Sequence, residues 1–200
     1  YILDLINKYN LYNIALEKIT SFSFGNQYQE FLFSNDFYDK VLGEKILLFQ
    51  IDSLLLKPFD MKYFEYDWIG ALWNKPTLSQ PRLLPLFKDK LPIGNGGFNI
   101  RNVNKCRIMA SEMFQYKRPI NGLNEDNIYS LLLQENAMVL QSKFPTIKEA
   151  GEFSVETISH PDPMSIHNFY IYFDSFKEGV TYINNIFDRH KKRLLQHNNN

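Results

Sequence analysis

Apolar residues along this chain recur with the helical period in some stretches and form short unbroken runs in others. From Tyr1 to Ile19 they fall at Ile2, Leu5, Ile6, Tyr9, Tyr12, Leu16 and Ile19, which predicts one or two helices with a break near Asn10. Gly25–Phe33 reads as a further helix. Ser34, Asn35 and Asp36 offer N-caps for a short helix from Phe37 to Leu42, and Gly43 offers its stop. Lys45-Ile46-Leu47-Leu48-Phe49 is then an apolar run flanked by polar residues, the pattern of a buried strand.

A second strand is predicted at Tyr66–Ala71, turning at Gly70, and a third at Phe98–Ile100. Between them, Asn74–Pro92 is rich in proline and without period, as in a long surface loop that lids or binds. Val103–Phe114 and Asn127–Gln134 read as helices, the second opened by Asn124-Glu125-Asp126. Met138-Val139-Leu140 reads as a strand, and residues 178–196 as a C-terminal helix with Val180, Ile183, Phe187 and Leu194 inward. Strands alternating with helices predict an α/β fold with a mostly parallel sheet. Two hundred residues fit one domain.

Composition narrows the function classes. Aromatic residues make up 16% of the chain, a surplus that supplies large core side chains and stacking surfaces for sugars or bases. Lys plus Arg and Asp plus Glu are equal at 22 each, so no net field draws the chain to nucleic acid or anionic lipid. No apolar run has the length of a membrane span. A single cysteine, Cys106, excludes an internal disulfide and points to the cytoplasm or another reducing compartment. Zinc-type Cys and His spacings, a Walker A loop, a dinucleotide fingerprint and a Gly-x-Ser-x-Gly elbow are all absent from the sequence.

The chemistry is expected where the first apolar run meets Gln50-Ile51-Asp52-Ser53. Ligands in open α/β sheets bind beyond the carboxyl ends of strands. Asp52 there can hold Mg²⁺ or Mn²⁺ against a phosphate, or it can simply cap a turn. Gln50, two residues earlier, shares its side of the strand and offers an amide to a phosphate, a sugar hydroxyl or a hydrated cation; Ser53 adds a hydroxyl. Gly94-Asn95-Gly96-Gly97 is the second candidate, because glycines let a ligand approach the main chain and expose its N–H groups. Glu125 and Asp126 are the third; adjacent side chains on a helix diverge, so at most one of them faces a pocket. His167 is the fourth, either a hydrogen-bonded structural residue or a metal ligand.

Leu47–Ser53, Tyr66–Trp73, Gly94–Phe98, Glu125-Asp126, Phe153-Ser154-Val155-Glu156 and Ile166-His167 occur here in one order. That series resembles a domain family of unknown function that is itself similar to GT-A glycosyltransferases, over residues 31–169. The resemblance implies a single α/β/α sandwich that moves a hexose from a nucleoside-diphosphate sugar to a hydroxyl of a glycan or protein acceptor. It implies Mn²⁺ or Mg²⁺ held by Asp52 and His167, with Gln50 standing where such enzymes carry the first Asp of an Asp-x-Asp motif. It makes Asp126, or Glu125, the base or an acceptor-binding carboxylate, and sets Gln50, Ser53, Trp73, Asn95, Gly96 and Gly97 around the donor. The family opens on a strand whose loop contacts the nucleobase, whereas this chain opens on a helical pattern, so a sheet without its first strand is expected. Two other classes stay open: a GT-A-like module that binds a glycan or protein without catalysis, and a hydrolase using Asp52 and Asp126 as a carboxylate pair.

Overall fold

The computed structural model describes residues 8, 25–73, 85, 87–116, 124–168 and 175–197. The helical pattern of residues 1–19 and most of the proline-rich stretch therefore lie outside the described residues. The chain forms a mixed α/β fold whose strands are short. Helix α1 (Gly25–Leu32) leads to α2 (Asn35–Asp39), where the Ser34 hydroxyl accepts from Phe37 N–H as the N-cap. Strand β1 (Lys45–Phe49) turns into β2 (Ser53–Leu55), and a 3₁₀ turn (Met61–Glu65) precedes β3 (Trp68–Ile69) and β4 (Ala71–Leu72). After β5 (Ile93–Gly94) and β6 (Phe98–Asn102) come helices α3 (Val103–Tyr116), α4 (Glu125–Glu135) and the single turn α5 (Ala137–Leu140). Helix α6 (Ile147–Phe153), strands β7 (Ser154–Val155) and β8 (Ser165–His167) and helix α7 (Phe176–His197) complete the described order.

The expected mostly parallel sheet is not what these strands form. Strand β6 lies between β1 and β3 and is antiparallel to both, β4 pairs antiparallel with β5, and β2 pairs antiparallel with β8. Among the described residues only β7 and β8 are parallel. Nor is Lys45–Phe49 the buried strand its apolar run suggests: β1 ends the order β1-β6-β3, with four half-buried residues and Phe49 exposed, and strand direction is set by the connections. Met138–Leu140 is likewise helical and not a strand. Leu140 N–H donates to Asn136 O at 2.9 Å, and Met138 and Val139 are exposed, so this apolar triplet has no sheet to join.

Strand β6 divides the core. Phe98 and Ile100 face a cluster with Tyr63, Ile69 and Phe153, while the alternate residues Asn99 and Arg101 are buried on the opposite side. There the Arg101 guanidinium lies over the rings of Trp68 and Tyr129, 5.1 and 5.5 Å from their centroids. Tyr129 also meets Phe33 at 4.7 Å between centroids and anchors the larger core cluster under α3 and α4. Each such ring removed from water stabilises the fold by roughly 1.5–3 kcal/mol.

The register carries one irregularity that builds the site. Ile69 pairs with Ile100 and Ala71 with Gly94, two steps along one strand against six along the other. The surplus residues bulge out between β5 and β6, and they include Asn95, Gly96 and Gly97.

Candidate functional site

The turn after β1 is tied to this bulge. Gln50 N–H donates to Gly97 O at 2.8 Å, Ser53 N–H to Gln50 O at 3.0 Å, and the Ser53 hydroxyl to Gly97 O at 2.5 Å. Ser53 thus fixes the turn. It also pairs with His167 across β2 and β8, which brings the histidine over the same loop. His167 Nε2 lies 3.1 Å from Gln50 Oε1 and 3.3 Å from Asp52 Oδ1. The imidazole is buried, whereas the Asp52 side chain is about a third exposed, so one side of the trio is open.

Gly97 is a glycine for the sake of this ring: a Cβ there would land inside the His167 imidazole. The glycine predicted to admit a ligand admits the protein's own histidine. Gly97→Ala is expected to expel the ring and cost about 1–3 kcal/mol through overpacking, read as a lowered denaturation midpoint together with loss of any divalent-cation binding. Gly94 gives way in the same manner to Trp73, whose ring also meets Phe87 edge-on at 5.7 Å. Trp73 is buried, and its polar edge reaches the site by donating Nε1–H to Glu156 Oε2 at 3.1 Å. The other oxygen, Glu156 Oε1, lies 3.3 Å from His167 Nδ1.

Asn95 sits in the left-handed region at φ 97, and its side-chain oxygen accepts from Gly97 N–H (2.7 Å) and Phe98 N–H (3.2 Å), closing the bulge. Its carbonyl accepts from Asn99 Nδ2 at 2.7 Å, and Asn99 Oδ1 accepts from Arg101 Nε at 2.8 Å. Arg101 Nη1 is paired with Glu125 Oε1 at 2.5 Å, and both side chains are buried. Burial opposes the guanidinium's charge, but Glu125 holds it firmly protonated. Glu125 is therefore committed to Arg101.

Its neighbour Asp126 turns the other way. One Asp126 oxygen accepts from Gly96 N–H and the other from Asn127 N–H, at 2.8 and 2.7 Å. Burial, reinforced by the charges of Glu125 and Glu156, pushes its carboxyl up to about 7. Asp126 and His167 thus flank consecutive residues of one loop, Gly96 and Gly97. Cys106, by contrast, is fully buried and pushed up to about 12 by that burial, which leaves an inert thiol.

The predicted candidates Gln50, Asp52 and His167 meet directly, and Asp126 joins them through the bulge. The sequence reading gave no role to Glu156, Asn99 or Arg101. Glu156 stands in the Phe153–Glu156 motif, but only its placement beside β8 reveals what it touches. Among the described residues no three His, Cys, Asp or Glu side chains cluster as a metal site. The convergent donor set is one carboxylate, one imidazole and one amide oxygen.

A mixed α/β domain with a polar loop cluster at a strand end is what the fold and site define. The model of a family described as a protein of unknown function (DUF5672) matches residues 11–167, which include every residue of this cluster. The chain belongs to that family. No curated protein and no solved structure matches it. Among the described residues, no helix is long and apolar enough to cross a membrane.

Proposed function

We propose that this protein is a glycosyltransferase that moves a hexose from a nucleoside-diphosphate sugar to an acceptor hydroxyl. The observation that carries this reading is the convergence of Gln50 Oε1 and Asp52 Oδ1 on His167 Nε2 at 3.1 and 3.3 Å. Neighbouring ligands of an octahedral Mg²⁺ or Mn²⁺ stand about 3 Å apart, given metal–oxygen distances of about 2.1 Å, and both spacings from His167 Nε2 are close to that value. A bound divalent cation would neutralise the donor diphosphate and ease its departure.

The chain's own residues account for the rest. Gln50, Asp52 and His167 would hold the cation at the strand end, where Ser53 and Gly97 lock the turn. Asp126, near neutral in its proton affinity, would take the acceptor's proton as the new C1–O bond forms and the C1–O bond to phosphate breaks, the case for an inverting transfer. Arg101 holds Glu125 away from that role and leaves its charge to raise Asp126. Trp73 contributes through Glu156 and not as a stacking platform.

Incubation with a panel of nucleoside-diphosphate sugars, Mn²⁺ and mixed glycan acceptors tests the reading, with released nucleoside diphosphate as the readout. Release from one donor that stops on chelation and in Asp52→Ala supports it. Release that is acceptor-independent and as fast as full turnover would favour the hydrolase. No release and no nucleotide binding, with glycan binding retained on an array, would favour a non-catalytic module.

A further inference from the structure

We propose that Glu156 is a positioning residue that sets the tautomer of His167, placing the ring proton on Nδ1 and leaving the Nε2 lone pair between Gln50 and Asp52. The consequence for a cation rests on the functional reading above; the tautomer does not.

Both oxygens of Glu156 are committed, and the side chain is only 12% exposed. Trp73 Nε1–H can only donate, so the oxygen 3.1 Å from it must accept. That fixes the carboxylate's rotation and leaves the second oxygen 3.3 Å from His167 Nδ1. An ionised carboxylate accepts and never donates, so Nδ1 must carry the hydrogen. In the neutral ring Nε2 is then a bare lone pair, and it faces two further acceptors, Gln50 Oε1 and Asp52 Oδ1. Three electron-rich atoms repel unless a positive charge lies among them. Without a cation, Gln50 relieves this by turning its NH₂ inward. With one, all three become ligands, and Glu156 is the outer carboxylate that orients the histidine.

Glu156→Gln inverts this logic. Its amide oxygen must still accept from Trp73, which turns the NH₂ toward Nδ1. The ring is then forced to carry its hydrogen on Nε2, pointed at Gln50 and Asp52. Trp73→Phe in the same background removes the fixed donor and lets the amide turn back.

The tautomer is read without metal, from imidazole ¹⁵N shifts of ¹⁵N-histidine protein at a pH where the ring is neutral. The expected result is Nδ1–H in the wild type, Nε2–H in Glu156→Gln and a return toward Nδ1–H in Glu156→Gln with Trp73→Phe. An unchanged tautomer in folded Glu156→Gln overturns the proposal. Mn²⁺ titration followed by EPR is the second arm, with affinity expected to fall 10–100-fold in Glu156→Gln and to recover partly in the double variant. If the wild type itself binds no Mn²⁺, the cation reading fails while the ¹⁵N result still decides the role of Glu156.

Discussion

Asp126→Asn is expected to lower kcat for sugar transfer by about 10²–10⁴-fold, the usual worth of a positioned general base, with donor affinity little changed. The carboxylate accepts from Gly96 N–H in the bulge that also houses His167, so it is beside the Gln50, Asp52 and His167 trio without belonging to it. Its carboxyl is pushed up to about 7 by burial and by Glu125 and Glu156, so the base form accumulates only as pH rises through neutrality. Wild-type kcat/KM should therefore climb tenfold per pH unit below about 7 and level off above it, and the variant should lack that limb. Stability should run the opposite way. The folded protein holds this proton where the unfolded chain, with an ordinary carboxyl near 4, has released it. The contribution is complete below about 4 and is lost as pH rises through about 7, by an amount on the order of a few kcal/mol. Asp126→Asn should flatten that slope in denaturant titrations across the window.

Arg101→Met is expected to cost about 3–5 kcal/mol, because it strands Glu125 as a buried charge without a partner. For a chain of this size that lowers Tm by roughly 6–20 °C, since each kcal/mol is worth about 2–4 °C. The guanidinium also lies over Trp68 and Tyr129, so its loss loosens the core that seats α4 and with it Asp126. Arg101→Met combined with Glu125→Leu should recover most of the stability, as replacing both members of a buried pair commonly does. Thermal unfolding of the three variants decides this. Recovery of stability without recovery of turnover would show that Glu125 serves the reaction through its charge on Asp126 as well as the fold.

Much of the site was legible because its residues stand where patterns break. The apolar run Lys45–Phe49 is β1, with Gln50 and Asp52 just past its end, although β1 runs antiparallel to β6 and the strand-end rule belongs to parallel sheets. The glycine cluster was also readable as a special backbone, although for the wrong occupant. Spacing cannot tell whether a missing Cβ makes way for a substrate or for His167, some seventy residues on. Strand direction was not legible, since β6 is buried on both faces and its neighbours carry the same apolar signature whichever way they run. The bulge escaped for a related reason: a register surplus exists only relative to a partner strand, and β4 and β5 are two residues each. Arg101 and Asn99 read as ordinary polar positions because alternation makes one face of a strand polar without saying that face is covered. Glu156 needed β7 and β8 side by side before its two partners could be known.

The most direct test of the proposed cation-assisted donor site is thermal unfolding with a panel of nucleoside diphosphates, each with Mn²⁺ and with chelator, for wild type and Asp52→Ala. At about a hundredfold its dissociation constant a ligand stabilises the fold by about 2.7 kcal/mol, or roughly 5–10 °C in a chain of this size. The predicted result is such a rise with one nucleotide, present with Mn²⁺ and absent both with chelator and in Asp52→Ala. No rise with any nucleotide, or one indifferent to metal and to Asp52, would contradict the account.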